Sequence, residues 1–116
     1  MTRILLHEQT LRNTTYQVYK EAEGGFTVES TDRKGATHAQ HVEEATVEWL
    51  HERLKMRRVN KDEAAEILAG APLSARVPFG PGWRLNFFAQ PVLLVLVALR
   101  KAAVAQEGRS FLYTVY

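Results

Sequence analysis

Cysteine is absent from the 116 residues, which removes disulfides, thiolate nucleophiles and every metal site built on sulfur. A chain without cysteine suits a reducing compartment, and a cytoplasmic location is expected. Nothing in the opening MTRILLHEQT reads as a secretory leader, because Arg3, His7 and Glu8 interrupt it before an apolar region can form. A long hydrophobic run is missing as well. The most apolar stretch, Phe87 to Leu99, is broken by Gln90 and closed by Arg100 and Lys101. It is shorter than the roughly 20 residues a spanning helix needs, so no membrane partner is expected. Low-complexity segments, linkers and short repeats are also lacking, and the chain reads as a single domain over residues 1–116.

Signatures of catalysis are equally scarce. Ser30, Ser74 and Ser110 have no G-x-S-x-G elbow around them. In Gly80-Pro81-Gly82-Trp83-Arg84 the third glycine and the Lys-Ser/Thr of a phosphate loop are missing. All four histidines lie in the first half of the chain, and Glu48 and His51 have the Glu-x-x-His spacing of carboxylate metal sites. On a helical wheel, however, Glu44, Glu48, His51 and Lys55 share the polar face, where ion pairs and water account for them. An enzymatic or metal-binding reading would need a pocket that gathers His38, His41 or His51 with carboxylates. No enzyme activity, cofactor or metal is expected.

What the chain does carry is a charge asymmetry and clear punctuation. Residues 1–52 hold five basic and nine acidic side chains, whereas residues 53–116 hold ten basic and four acidic ones. Thr14–Ala22 and Phe26–Asp32 are β-rich runs joined across Glu23-Gly24-Gly25, which predicts a hairpin with Tyr16, Val18, Phe26 and Val28 on one face. Arg3–Glu8 supplies a further strand. Arg33-Lys34-Gly35 turns the chain into ATHAQ, which reads equally as a short strand or as the opening of the next helix.

Helices are expected over about 42–58, 61–69 and 90–106. The first has a broad apolar arc of Val42, Ala45, Val47, Trp49, Leu50, Leu54 and Met56. The second opens on Asn60 with Glu63 at capping-box spacing and is stopped by Gly70 and Pro72. The third starts near Pro91, ends near Gly108 and is apolar nearly all round, as a helix buried inside the domain or against a second copy would be. Between the second and third, LSARVPF and WRLNFF flank Gly80-Pro81-Gly82. They read as a hairpin that pairs Phe79 with Trp83, Val77 with Leu85 and Ala75 with Phe87. Pro78 places its first strand at a sheet edge. The final SFLYTVY is apolar on both strand faces, as an interior strand should be. The resulting fold class is α+β with mostly antiparallel sheet, in the order βββ(β)-α-α-ββ-α-β.

Two local resemblances bear on function. NKDEAAEILAG, Asn60 to Gly70, resembles the first helix of excisionase-like and MerR-like helix-turn-helix domains. That resemblance implies a recognition helix immediately afterwards, whereas APLSARVPFGPG contains three prolines and reads as strand and turn. The stretch YQVYKEAEGGFTVESTDRKGATHAQHVEEATVEWL resembles the strand-strand-strand-helix opening of HicB-type antitoxins, with Glu44-Ala45 at the helix start. It implies a non-catalytic relative of the RNase H fold that holds a toxin; the rest of the chain has no matching motif.

The leading expectation is therefore a small non-enzymatic interaction module, a regulator or inhibitor that binds a protein partner or a second copy of itself. Aromatics and arginine are favoured interface anchors, which singles out Phe79, Trp83, Arg84 and Phe88. The alternative is a nucleic-acid-associated regulator. It would use the acid-free run RLKMRRVNK, with Arg53, Lys55, Arg57, Arg58 and Lys61, joined by Arg76, Arg84 and Asn86 on the hairpin's outward face.

Overall fold

The computed structural model describes residues 3–71 and 85–116, with the side chains of residues 85–88 excepted. It is an α+β domain built on antiparallel sheet. The first four strands are β1 (Arg3–Leu11), β2 (Thr14–Glu21), β3 (Phe26–Thr31) and β4 (Thr37–Val42), which form a meander in sequence order. Helix α1 (Glu44–Leu54), the two-residue strand β5 (Arg58–Val59) and helix α2 (Lys61–Leu68) follow. Helix α3 (Leu85–Ala98) then leads into the hairpin of β6 (Ala102–Glu107) and β7 (Ser110–Val115). Strand β7 is the middle member of a second antiparallel sheet, ordered β5-β7-β6.

The β2–β3 hairpin has the expected core face. Val18 lies opposite Val28, and Val18, Val28 and Phe26 are buried with Tyr16 half-buried beside them. Thr37–Gln40 of ATHAQ belong to β4, whose Val42 pairs with Phe26. The other face of the sheet is polar. There Arg3 pairs with Glu29 at 2.9 Å and stacks over the Tyr19 ring at 3.9 Å. Tyr19 Oη donates to Gln17 Oε1 at 3.1 Å, and Gln17 Nε2 donates to Glu8 Oε2 at 2.6 Å. A Lys20–Glu44 ion pair fastens β2 to the start of α1 and, with the hydrogen bond it includes, holds the Glu44 carboxyl below the usual carboxylate range.

Helix α1 is shorter than its periodicity suggests. Val42 is already committed to β4, and the helix closes at Leu54, where Met56 takes φ 66° and its amide donates to the Val115 carbonyl at 2.8 Å. Met56 and Ala45, both expected on the apolar arc, are exposed, while Val47, Leu50 and Leu54 are buried. Helix α2 begins as read: Glu63 N–H donates to Asn60 Oδ1 at 2.8 Å, and Asn60 N–H donates to Glu63 Oε1 at 2.9 Å.

Helix α3 departs most from expectation. It runs from Leu85 rather than Gln90, so Pro91 stands inside it and not in its first turn. Leu85–Phe88 are therefore helical, so Leu85 and Phe87 do not supply the strand positions expected opposite Val77 and Ala75. The remainder of that hairpin, residues 73–84, lies outside the described residues. At its other end α3 stops eight residues early. Arg100 adopts φ 62°, the Lys101 amide donates to the Leu96 carbonyl at 2.8 Å, and the Arg100 amide donates to the Val97 carbonyl at 3.0 Å. This is a Schellman closure with arginine in the position glycine usually takes. Gly108, expected as the helix stop, instead turns the β6–β7 hairpin at φ 62°.

The nearly all-round apolar character of α3 is satisfied within the domain. Ala89 and every residue from Pro91 to Leu96 are buried. The helix packs on β2, β3 and β4 of the larger sheet, on α1 and α2, and on β6. Leu94 has no exposed surface, so Leu94→Ala is expected to lower stability by about 2–5 kcal/mol in urea unfolding. Gly25 is a second pressure point, with φ 76° and ideal Cβ positions 2.8 Å from the His41 ring and 2.9 Å from the Val42 carbonyl oxygen. The ring can swing away; the carbonyl belongs to a paired strand and cannot. Gly25→Ala should therefore lower the unfolding midpoint more than Gly24→Ala, where φ is 107° but the space is open.

Candidate functional site

The residues singled out from sequence are dispersed. Phe79, Trp83, Arg84 and Arg76 lie outside the described residues. Asn86 and Phe88 fall in the first turn of α3, where successive positions are separated by about 100°. Strand alternation consequently does not group Asn86 with Arg76 and Arg84.

The basic run breaks into parts with different surroundings. Arg53 lies over the Trp49 ring at 5.1 Å, and Lys55 pairs with Glu52 at 3.2 Å. Arg57 and Arg58 are exposed beside β5, on the opposite side of that strand from buried Val59 in the case of Arg58. Lys61 is half-buried at the start of α2.

The histidines do not gather. His7 sits on β1 at one edge of the larger sheet, where its Nε2 shares a 2.9 Å hydrogen bond with Gln9. His38 and His41 lie on β4 at the opposite edge, with His41 3.1 Å from Glu43. His51 Nε2 is 2.8 Å from the Tyr116 backbone oxygen, and Glu48 points to solvent. Among the described residues no three His, Asp or Glu side chains are grouped to hold a metal ion.

What the fold does assemble is a cleft of about 380 Å³ where four parts of the chain meet. The β1–β2 turn contributes Leu11 through Thr14, with Tyr16 from β2 behind it. The α2 entry contributes Asn60 through Asp62, and α3 contributes Gln90. The β6–β7 turn and β7 contribute Arg109, Ser110, Phe111 and Tyr113. Three cations, Arg12, Lys61 and Arg109, face one carboxylate, Asp62. Arg12 is held at the turn with φ 57° and lies 5.8 Å from the Phe111 ring centroid. Gln90 Nε2 donates to Tyr16 Oη at 3.0 Å, which joins α3 to the larger sheet.

Tyr113 forms the floor of this cleft, with no exposed surface, and its hydroxyl has no hydrogen-bond partner among the described residues. Burial, reinforced by the neighbouring Tyr16 phenol, pushes the Tyr113 pKa well above the ordinary tyrosine value. Burial also raises the Tyr16 pKa, partly offset by the bond from Gln90. Both phenols are therefore neutral at physiological pH and retain a proton to donate. Sequence reasoning placed Tyr16 on a core face and Tyr113 in an interior strand, but it did not bring the two together. It also passed over Arg12 and Arg109. The available signal was a cation at each of two hairpin turns, and only the packing of the two sheets makes those turns neighbours.

The chain matches no protein-family model, and it has no significant similarity to a curated protein or a solved structure. Over Tyr16–Leu50 the elements do come as strand, strand, strand, helix, but β1 precedes them as a fourth strand of the same meander. No helix among the described residues is long and apolar enough to cross a membrane.

A buried hydroxyl without a partner costs about 1–3 kcal/mol relative to an apolar isostere. Thr46 Oγ1, on α1 and away from the cleft, is in the same condition. Thr46→Val and Tyr113→Phe are each expected to leave stability unchanged or raise it by about 1 kcal/mol. Thermal and urea unfolding of the two variants would measure this, and a clear loss of stability in both would contradict it.

Proposed function

We propose that the chain is a non-enzymatic protein-interaction module that docks through the free edge of β1, and that the strand it accepts is β1 of a second copy. The observation that carries this reading is an edge strand that has apolar surface and no partner on its outer side among the described residues. β1 ends the meander, and Ile4, Leu5 and Leu6 are 64%, 49% and 37% exposed. Monomeric proteins usually blunt such an edge with charge, proline or a covering segment, because its free amides and carbonyls recruit another strand.

The chemistry of the strand favours a second copy. In an antiparallel, two-fold pairing centred between Leu5 and Leu6, Arg3 of each chain lies opposite Glu8 of the other, and Leu5 lies opposite Leu6. Because the register with β2 shifts between Leu5 and His7, Arg3 and Glu8 both project from the polar face, opposite Glu21 and Gln17. The two charges can thus meet across such an interface, an arrangement that contributes about 0.2–1 kcal/mol per pair. A two-fold contact is also the commonest route to a closed assembly.

Nucleic-acid contact through Arg53, Lys55, Arg57, Arg58 and Lys61 has less support. Lys55 is already paired, Arg53 lies over the Trp49 ring and Lys61 lines the cleft, which leaves Arg57 and Arg58 as the exposed cations of the run. Two phosphate contacts would give weak, non-specific and salt-sensitive binding.

Light scattering across a concentration series tests the proposal. The wild-type chain should pass from monomer to dimer, and Leu5→Lys combined with Leu6→Lys should keep it monomeric with its circular dichroism unchanged. Arg3→Glu and Glu8→Arg should each weaken the dimer, with partial recovery when both are made in one chain. A wild-type protein that stays monomeric at high micromolar concentration would overturn the reading.

A further inference from the structure

We propose that the cleft between the β1–β2 turn, the α2 entry and the β6–β7 turn binds a small organic anion, whose oxygens accept from the Tyr113 and Tyr16 hydroxyls while its apolar body rests on Leu11 and Phe111. The site lies away from Ile4, Leu5 and Leu6 and does not depend on how β1 is used.

Hydrogen-bond accounting identifies what is missing. Tyr113 is fully buried and its hydroxyl has no partner among the described residues, a state that native proteins rarely leave unsatisfied. Tyr16 Oη already accepts from Gln90, so its own proton is the group still to be placed. The cleft is therefore lined by one phenol short of an acceptor, Tyr113, and a second, Tyr16, with a proton to offer. A ligand that fits must bring acceptor oxygens.

Charge narrows the class. Arg12, Lys61 and Arg109 line the cleft against the single acid Asp62, so an anion is favoured over a neutral molecule. The start of α2 adds the positive end of its helix dipole on the same side. Leu11 and Phe111 supply apolar wall, and a volume of about 380 Å³ lies within the range of pockets for small molecules rather than single ions. Carboxylates and phosphate monoesters share the required chemistry: two or three acceptor oxygens carried on an apolar body.

The test is a titration of the full-length chain followed by ¹H–¹⁵N correlation spectra at low ionic strength, with benzoate, phenyl phosphate and inorganic phosphate as separate probes. Saturable shifts at Asn60, Lys61 and Ser110 through Tyr113 are expected with at least one aromatic anion; which of the two binds tighter assigns the site to carboxylate or phosphate ester. Tyr113→Phe, which deletes only the hydroxyl, and Arg109→Ala should each weaken binding about tenfold. Arg33→Ala, on the β3–β4 turn and outside the lining of the cleft, should bind as wild type does. The proposal is overturned if no probe gives saturable shifts, or if Tyr113→Phe binds with unchanged affinity. Inorganic phosphate binding as tightly as both aromatic anions would refute the role of the apolar wall.

Discussion

From Pro91 to Leu96 helix α3 has no polar side chain to offer water, and the other elements are arranged by the need to cover it. An ordinary surface helix buries one stripe and hydrates the rest. From Pro91 to Leu96 every residue of α3 is buried, so a single sheet could not have shielded it. The four-stranded meander covers one side through Val18, Phe26, Val28 and Val42, and α1, α2 and β6 close the others. The smaller sheet is tied into the same core by Tyr113 and Val115 of its central strand.

That arrangement also produces the cleft. Two sheets and a helix entry wrapped about one rod meet along a seam, and hairpin turns cannot interdigitate as closely as side chains in a core do. At the seam the chain leaves polar groups: the Gln90 amide, the two phenols, and cations from two turns and the start of α2. Gln90 is the one polar interruption of the apolar run, and its bond to Tyr16 links the buried helix to the sheet. The same residue therefore ends the spanning-helix reading and helps build the candidate site.

Local signals read well wherever a short-range force decided the outcome. The Gly24-Gly25 turn and the Asn60–Glu63 capping box were legible, because they depend on backbone sterics and a reach of three residues; SFLYTVY is the central strand of its sheet as read, yet Tyr113 and Val115 are buried while Thr114 on the other face is exposed. The errors fall where long-range packing overrode the local pattern. AAVAQE is as compatible with helix as with strand, and becomes β6 because β7 needs a neighbour on that side. Arg100 closes α3 in a left-handed conformation that no glycine announces. Met56 does the same after α1, releasing the chain so that β5 can reach β7.

The candidate site was much less legible than the fold. Aromatics and arginines near Gly80-Pro81-Gly82 drew attention because they are dense in sequence, whereas the cleft draws Arg12, Tyr16, Lys61, Gln90, Arg109 and Tyr113 from the whole length of the chain. By itself the sequence determined the class of the fold, the polar and apolar faces of the first hairpin, the capped start of α2 and the burial of the apolar helix, since these follow from periodicity and from groups a few residues apart. Tertiary structure alone decided that α3 is covered within one chain, that β1 is an end strand of its sheet among the described residues, and that two turn arginines and two phenols converge. Those outcomes depend on which elements become neighbours, and that is settled by the shared requirement to keep water from a helix with no hydrophilic side.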